Sequence, residues 1–338
     1  MATIKDVARL AGVGLGTASR VVSGKGSVSL KTQERVRQAI AELDFRPSHA
    51  ARSLLSGNSQ MIGVYIPVLK GTFYMPILQA IDTELRAAGL HMVVAFGVSG
   101  VDEHRQGVEA IQFLMERGCD GLIVMSNVLN DDDFSTLGPK HAQVVMLNHH
   151  SEQFAAQCFI ADHVLGGVLA AKALLAHQHK KIAVIAGPSV VADNVDRING
   201  FLGELARAGI DTTDMWIAES DFSPEGGWNA ARELVNSGYP FTALFCANDE
   251  MALGALSYFQ QAGIAVPRDV SVIGYDDTTG AAFAAPPLSS VRIPWHDVTL
   301  NALNELLNRC YGWTRPVKRD FQVSVTLRAS LARRRKAA

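Results

Sequence analysis

The chain is poor in cysteine. Its 338 residues hold only 4, at positions 119, 158, 246 and 310, and no two form a C-x-x-C pair. That spacing argues against a disulfide framework or a zinc knuckle and points to a reducing compartment. Aromatic residues are few, at 7%. No window approaches the ~18 consecutive apolar residues of a membrane span. The opening MATIKDVARL has no secretory apolar core. There is no G-x-S-x-G, no P-loop, no H-E-x-x-H and no G-x-G-x-x-G after a strand. His149 and His150 point opposite ways in an extended chain, which disfavours a metal pair. The expectation is a cytoplasmic, soluble protein with no membrane partner, cofactor or metal, and not an enzyme. A carboxylate-pair enzyme acting on sugars stays open, because Asp and Glu total 33.

What is present is size, apolar content and an uneven charge. At 48% hydrophobic over 338 residues, the chain can fill two or three packed units. The formal charge of −2 divides into +5 over residues 1–58 and −7 over the remainder. A basic head on an acidic body suggests that only the head meets a polyanion.

That head opens with TIKDVARLAGVGLGTASRVVSG, residues 3–24. Thr3 and Asp6 have capping-box spacing. Ile4, Val7, Ala8 and Ala11 lie on one helical face. Gly12 tolerates the positive φ of a tight turn, and Val13 can plug the angle between two helices. The second helix runs from about Leu15 to Val22. It turns Ala18, Val21 and Val22 inward and leaves Leu15, Gly16, Ser19 and Arg20 outside. In a major groove, an Arg fork suits guanine and a Leu suits thymine methyls. Ser29 can cap a third helix from Leu30 to about Leu43, and Pro47 ends the unit. SHAARSLLSG (48–57) is too short for a helix alone and reads as a linker that becomes helical only against a partner.

From Met61 the pattern changes to α/β. Strands are expected at 61–68, 91–97, 121–125, 144–147, 181–187, 242–247 and 270–276. Helices are expected at 73–88, 103–117, 163–177, 193–208, 225–236 and 249–263. The alternation implies parallel βαβ units in two similar lobes. The domains are expected at 1–47 (helix-turn-helix headpiece), 48–58 (hinge or linker), 59–328 (two-lobed body) and 329–338 (a basic tail), with the charge run ARRRKAA (332–338) read as a solvated end.

TIKDVARLAGV…TASRVVSG with VS at 28–29, RPSHAARSL (46–54), ANDEMALGAL (247–256) and VSVIGYDD…PPLSSVR (270–292) occur in order. Together they resemble the LacI/GalR family of bacterial transcription regulators over essentially the whole chain. The resemblance implies a headpiece that binds near-palindromic operator DNA and a body like periplasmic sugar-binding proteins, with an effector between the lobes. It also implies a homodimer, sometimes a tetramer. The Leu heptad of the family's tetramerising coiled coil is missing from 329–338, so a dimer is expected.

Carried over by position, Leu15, Gly16, Ser19 and Arg20 meet bases, while Thr3 and Thr17 meet phosphates. Ser48 stands where the family usually has Asn in the hinge. Leu54 matches the family's minor-groove wedge, which partly unstacks a base step. Gly14 replaces the usual Ser and removes a hydroxyl.

For the effector, Phe73 and Tyr74 match the family's aromatic pair, though Phe73 also reads as lobe core. Arg197 in DRINGF matches the effector arginine, and Asp276 the effector aspartate. Asn248 contacts ligand or stabilises its turn, both readings standing. Phe222 falls where an aromatic often covers the ligand. Asn148 and His149 follow a strand, with His149 replacing the family's Arg. Asp162 keeps an Asp-Asn step in which His163 replaces Asn. Such a set favours a neutral sugar or glycoside, with a purine or nucleoside corepressor second. A free sugar-binding transport protein is the rival from another class, and the basic headpiece argues against it.

Overall fold

The computed structural model describes residues 2–24, 26–45, 58–98, 102–126 and 128–334. The expectations for Pro47, Ser48, Leu54 and the hinge segment 48–57 lie outside the described residues.

Three helices form the headpiece: α1 (Ile4–Leu10), α2 (Leu15–Ser23) and α3 (Leu30–Glu42). Thr3 caps α1 in a full capping box: the Asp6 amide donates to its Oγ1 and Asp6 Oδ2 accepts from the Thr3 amide at 2.9 Å. Gly12 takes φ +61°, as the turn requires. Arg35 of α3 ties that turn down, donating to the carbonyls of Ala11 (2.6 Å) and Gly12 (2.9 Å). Val7, Ala11, Ala18, Val36, Ala39 and Phe45 are buried in the small core that the three helices share. Ser29 does not cap α3 with its side chain; its hydroxyl donates to Thr32 Oγ1 instead.

The body holds two sheets. In the N-lobe, β1 (Met61–Ile66), β2 (His91–Phe96), β3 (Gly121–Met125), β4 (Val144–Leu147) and β5 (Cys158–Phe159) run parallel in the order β2-β1-β3-β4-β5. Helices α4 (Tyr74–Ala87), α5 (Glu103–Glu116) and the short α6 (Asp131–Ser135) connect them. The C-lobe sheet has the order β11-β10-β9-β8-β6-β7. Its strands are β6 (Ile182–Ala186), β7 (Ile217–Glu219), β8 (Ala243–Cys246), β9 (Ser271–Asp276), β10 (Ser289–Arg292) and the antiparallel edge β11 (Ser324–Thr326). Its helices are α7 (His163–Ala176), α8 (Ala192–Arg207), α9 (Pro224–Asn236), α10 (Asp249–Gln261) and α11 (Thr279–Phe283). The central strands are buried on both faces, which is why they read as unbroken apolar runs.

Two features depart from the sequence reading. The chain returns from β10 to the N-lobe as a long helix, α12 (Trp295–Tyr311), whose Val298, Ala302, Leu303, Leu306 and Leu307 enter the N-lobe core. The expected strand-helix alternation contains no such return. Residues 329–334 are also bound to the C-lobe rather than free: Ser330 and Leu331 are buried, and the Arg334 amide donates to the His177 carbonyl at 2.9 Å. Among the described residues, no helix is long and apolar enough to cross a membrane.

Candidate effector site and nucleic-acid interface

The outer face of α2 is built as its spacing implies. Leu15 is exposed, as are Gly16 and Arg20, while Thr17 and Ser19 are half-buried. Gly14 and Gly16 present no side chain there, and the Arg20 guanidinium folds back so that its Nε donates to the Gly16 carbonyl at 3.2 Å. Thr3 sits at the N-terminus of α1, its hydroxyl donating to Asp6 Oδ2 at 2.7 Å. The surface therefore offers one long cation and one branched apolar side chain.

The second site lies where strand ends of both lobes converge. Ligands in open α/β sheets bind beyond the carboxyl ends of strands, and Tyr74, Asn148, His163 and Asp193 follow such ends while Asp276 closes β9. Helices α7 and α8 place the central pair. Gly167 and Gly200 let these helices touch backbone to backbone: a Cβ on Gly167 would come 2.0 Å from the Arg197 carbonyl oxygen, and one on Gly200 2.0 Å from that of Val164. This close approach brings His163, at the start of α7, against Arg197 on α8.

Arg197 is buried, and its donors are largely occupied. Nη2 donates to Asp193 Oδ2 at 2.6 Å, Nη1 to the Ala247 carbonyl at 2.7 Å and Nε to His163 Nδ1 at 3.4 Å. The guanidinium stacks 4.2 Å from the Tyr275 ring centroid and lies 3.9 Å from Asp276 Oδ1. Asp193 also accepts from Asn148 Nδ2 at 2.8 Å, across the lobes. Burial opposes its ionisation, but the Arg197 charge and these hydrogen bonds prevail and hold Asp193 below the ordinary carboxylate range. Its second oxygen, Oδ1, has no hydrogen-bond partner.

The amide orientation of Asn148 follows. Its Nδ2 must face the ionised Asp193, so its Oδ1 faces His163 Nε2, at 2.6 Å. His163 therefore carries its proton on Nε2, and its Nδ1 accepts from Tyr275 Oη at 3.0 Å. Burial and the Arg197 charge push His163 down to about 3, so the ring is neutral. Asp276 is pushed up to about 6, chiefly by burial, with Arg197 opposing and Asp193 adding to the rise. It accepts from Trp295 Nε1 at 3.3 Å.

Aromatic rings form one wall. Phe73 meets Tyr74 edge-on at 5.0 Å and Trp295 edge-on at 5.1 Å. Tyr74 is raised by burial and by the nearby Asp193 and Asp276 carboxylates. Asn148, Phe222 and Asp276 all hold φ above zero, at +57°, +63° and +98°. Backbone strain in non-glycine residues gathers at functional sites.

The structure thus brings Tyr74, Asn148, Arg197 and Asp276 together, with Phe73 joined through Trp295. Asn248 instead serves its turn: Oδ1 caps α10 at the Met251 amide (2.9 Å), and Nδ2 donates to the Phe222 carbonyl at 3.0 Å. The Phe222 ring packs over Gly187, where a Cβ would lie 2.1 Å from it. His149 is not hydrogen-bonded into the Arg197 cluster; its Nε2 lies 3.7 Å from Asp131 Oδ1 and its ring is edge-on to Phe134. It lines a cleft of about 850 Å3 that runs from Ser126 to Asp193. Asp162 caps α7, accepting from the Leu165 amide at 2.7 Å.

Four members went unassigned in the sequence. Tyr275 stands inside the buried strand β9, just before Asp276. Asp193 stands four residues before Arg197, an ion-pair spacing legible on any helix. His163 is a polar residue opening an otherwise apolar helix. Trp295 stands three residues past the end of β10 and opens α12.

A helix-turn-helix reader and a two-lobed body with a buried polar cluster between its lobes define a ligand-responsive DNA-binding protein. The comparisons agree. Residues 3–48 match the bacterial regulatory proteins of the lacI family, and residues 171–331 match a periplasmic binding protein-like domain. The HTH-type transcriptional regulator AscG of Escherichia coli (strain K12) is 32% identical, covering 99% of this chain and 98% of its own. The HTH-type transcriptional repressor PurR of Vibrio atlanticus (strain LGP32) is 35% identical, with 91% and 92% covered. Among solved structures, the lac repressor dimer bound to operator and the anti-inducer ONPF superposes with a TM-score of 0.84, at 30% identity over 98% of this chain and 99% of that one. A LacI-family regulator from Burkholderia phymatum has a TM-score of 0.78 at 48% identity, over 81% and 100%. The chain belongs to the LacI family of bacterial transcription regulators and is not an enzyme.

Proposed function

We propose that this regulator is a cytoplasmic repressor of a sugar-utilisation operon. As a homodimer it binds a near-palindromic operator, and a neutral sugar or glycoside between the lobes controls its affinity. The observation that carries the effector class is an excess of acceptors. Asp193 is ionised with a free buried oxygen, Asp276 lies beside it, and Arg197 is the one cation against both. Such a site wants a donor-rich, uncharged ligand, which describes a polyhydroxyl compound. An anion would meet carboxylates whose cation is already committed. A purine is favoured less because Phe73, Tyr74 and Trp295 meet edge-on, at 78° and 90°, and supply no parallel pair to sandwich a flat base.

For the DNA, Leu15, Gly16, Ser19 and Arg20 contact bases, Thr3 and Thr17 contact phosphates, and Ser48 and Leu54 act from the hinge. Duplexes enriched by the chain from a random pool would identify the operator. Titrating that complex with hexoses, disaccharides, adenine, guanine and hypoxanthine tests the effector. Release or tightening by a saccharide alone is expected. A response to a purine alone would overturn the effector class, and failure to enrich any duplex would overturn the repressor reading.

A further inference from the structure

Asp120, in the turn between α5 and β3, gathers four hydrogen bonds at one carboxylate. Its Oδ1 accepts from the Ser59 amide at 2.7 Å and the Ser59 hydroxyl at 3.0 Å. Its Oδ2 accepts from the Gln60 amide at 2.8 Å and from Tyr311 Oη at 2.6 Å. Cys310 Sγ donates to the Asp120 carbonyl at 3.2 Å. Gln60 is held at φ +60°, a strained geometry for a residue with a side chain. The adjacent Gly121 lets α12 pass directly over this turn: a Cβ there would lie 2.4 Å from Cys310 Sγ.

Ser59 and Gln60 are the residues through which the linker enters the body, just ahead of β1. Tyr311 ends α12, and Trp295 begins it. At ~1.5 Å rise per residue the helix spans ~25 Å. One rigid element therefore touches the Asp276 cluster at its start and the linker's attachment at its end. Its middle packs along the N-lobe core through Val298, Ala302, Leu303, Leu306 and Leu307, and its hydrogen-bonded backbone links Trp295 to Tyr311 without a break. Hydrogen bonds weaken steeply with misalignment, and a shift of ~1 Å at Tyr311 is enough to break its bond to Asp120 Oδ2, the oxygen that also holds the Gln60 amide.

We propose that Asp120 and Tyr311 are positioning residues for regulation. They convert displacement of α12, imposed at Trp295 by occupancy of the interlobe site, into a change in how Ser59 and Gln60 aim the linker. Neither residue touches the Arg197 cluster. The inference rests on the DNA-binding reading above, and its test separates the two.

A double-mutant cycle on the full chain compares Trp295→Phe, Tyr311→Phe and the pair, reading affinity for the duplex enriched from a random pool by the wild-type chain. Independent changes so far apart multiply within about twofold. The combined effect should depart from the product by about fivefold or more, whereas Trp295→Phe with Tyr258→Phe, on the far side of the C-lobe, should simply multiply. A plain product for the first pair overturns the proposal. Amide hydrogen exchange at Ser59 and Gln60 needs no DNA. It should quicken about tenfold in Tyr311→Phe, in Asp120→Asn and in Trp295→Phe. Unchanged exchange in Trp295→Phe overturns transmission along α12, even if no operator is ever enriched.

Discussion

Acidification should reveal the buried, neutral state of His163. Burial beside Arg197 lowers its folded value from 6.5 to about 3. Between these values the unfolded chain takes up a proton that the folded chain refuses. Stability contributed by the neutral ring is therefore present above about pH 6.5 and is lost as pH falls through that window. The slope is about 1.4 kcal/mol per pH unit, so moving from about pH 7.5 to about pH 5 costs about 2 kcal/mol. Other buried groups act in the opposite sense. Asp276 and Asp249 are raised from 3.8 to about 6 and about 8, chiefly by burial, so the folded state holds their protons more tightly and acidification relieves their cost. A bare pH profile mixes these contributions. The difference between wild type and His163→Gln isolates the imidazole. Urea unfolding followed by circular dichroism at both pH values measures it. The stability of wild type relative to the variant should fall by about 2 kcal/mol between the two. A difference that stays constant would refute a neutral buried histidine.

Arg197→Ala should leave Asp193 and Asp276 buried without their cation and cost about 3–5 kcal/mol in urea unfolding; a loss below about 1 kcal/mol would mean that water or a proton replaces it freely. Gly167→Ala places a methyl 2.0 Å from the Arg197 carbonyl oxygen, forcing α7 and α8 apart for about 1–3 kcal/mol. Gly203→Ala, in open space on the same helix α8, should instead gain up to about 1 kcal/mol, and the pair of unfolding curves checks both signs. Arg20→Ala should weaken binding to the enriched duplex by about 1–3 kcal/mol while sparing random DNA. Equal losses on the two duplexes would assign Arg20 to phosphate.

What the sequence makes legible is what local physics controls. The runs at 121–125 and 144–147 are buried on both faces and declare themselves as strands. Thr3 and Asp6 declare a capping box because both partners lie within one turn. The edge strand β11 exists only because β10 offers it an antiparallel partner, so its three residues carry little signal of their own. Helix α12 has a readable apolar stripe, but it serves the lobe that the chain had left more than a hundred residues earlier, and alternation cannot foretell a return. The site divides the same way. The pairing of Asp193 with Arg197 is an i,i+4 relation open to inspection. His163 owes its role to Tyr275 Oη and Asn148 Oδ1, whose approach depends on helix packing. Asn248 shows the limit from the other side: its motif suits ligand contact, yet both ends of its amide are spent on the fold.

The contacts across the lobes bear on how the switch works. Glu250 accepts from the Thr72 amide at 2.8 Å, Asn148 reaches Asp193, and His150 lies 3.3 Å from Asp196. Lys70 and Glu225, at 3.8 Å, are both largely exposed, and such pairs contribute at most about 1 kcal/mol. These links between the lobes are polar. On the effector reading proposed above, a ligand donor that satisfies Asp193 Oδ1 stabilises the arrangement in which Asn148 holds the other oxygen. A coupling of about 1–3 kcal/mol is then enough to shift the population. The headpiece makes that shift consequential. With Gly14 capping the reading helix and Gly16 on it, Leu15 and Arg20 are the large side chains of that face, and on the repressor reading proposed above affinity depends on two copies held at the right spacing. On that same reading, a change at the linker attachment, Ser59 and Gln60, alters the spacing and with it the affinity for the operator.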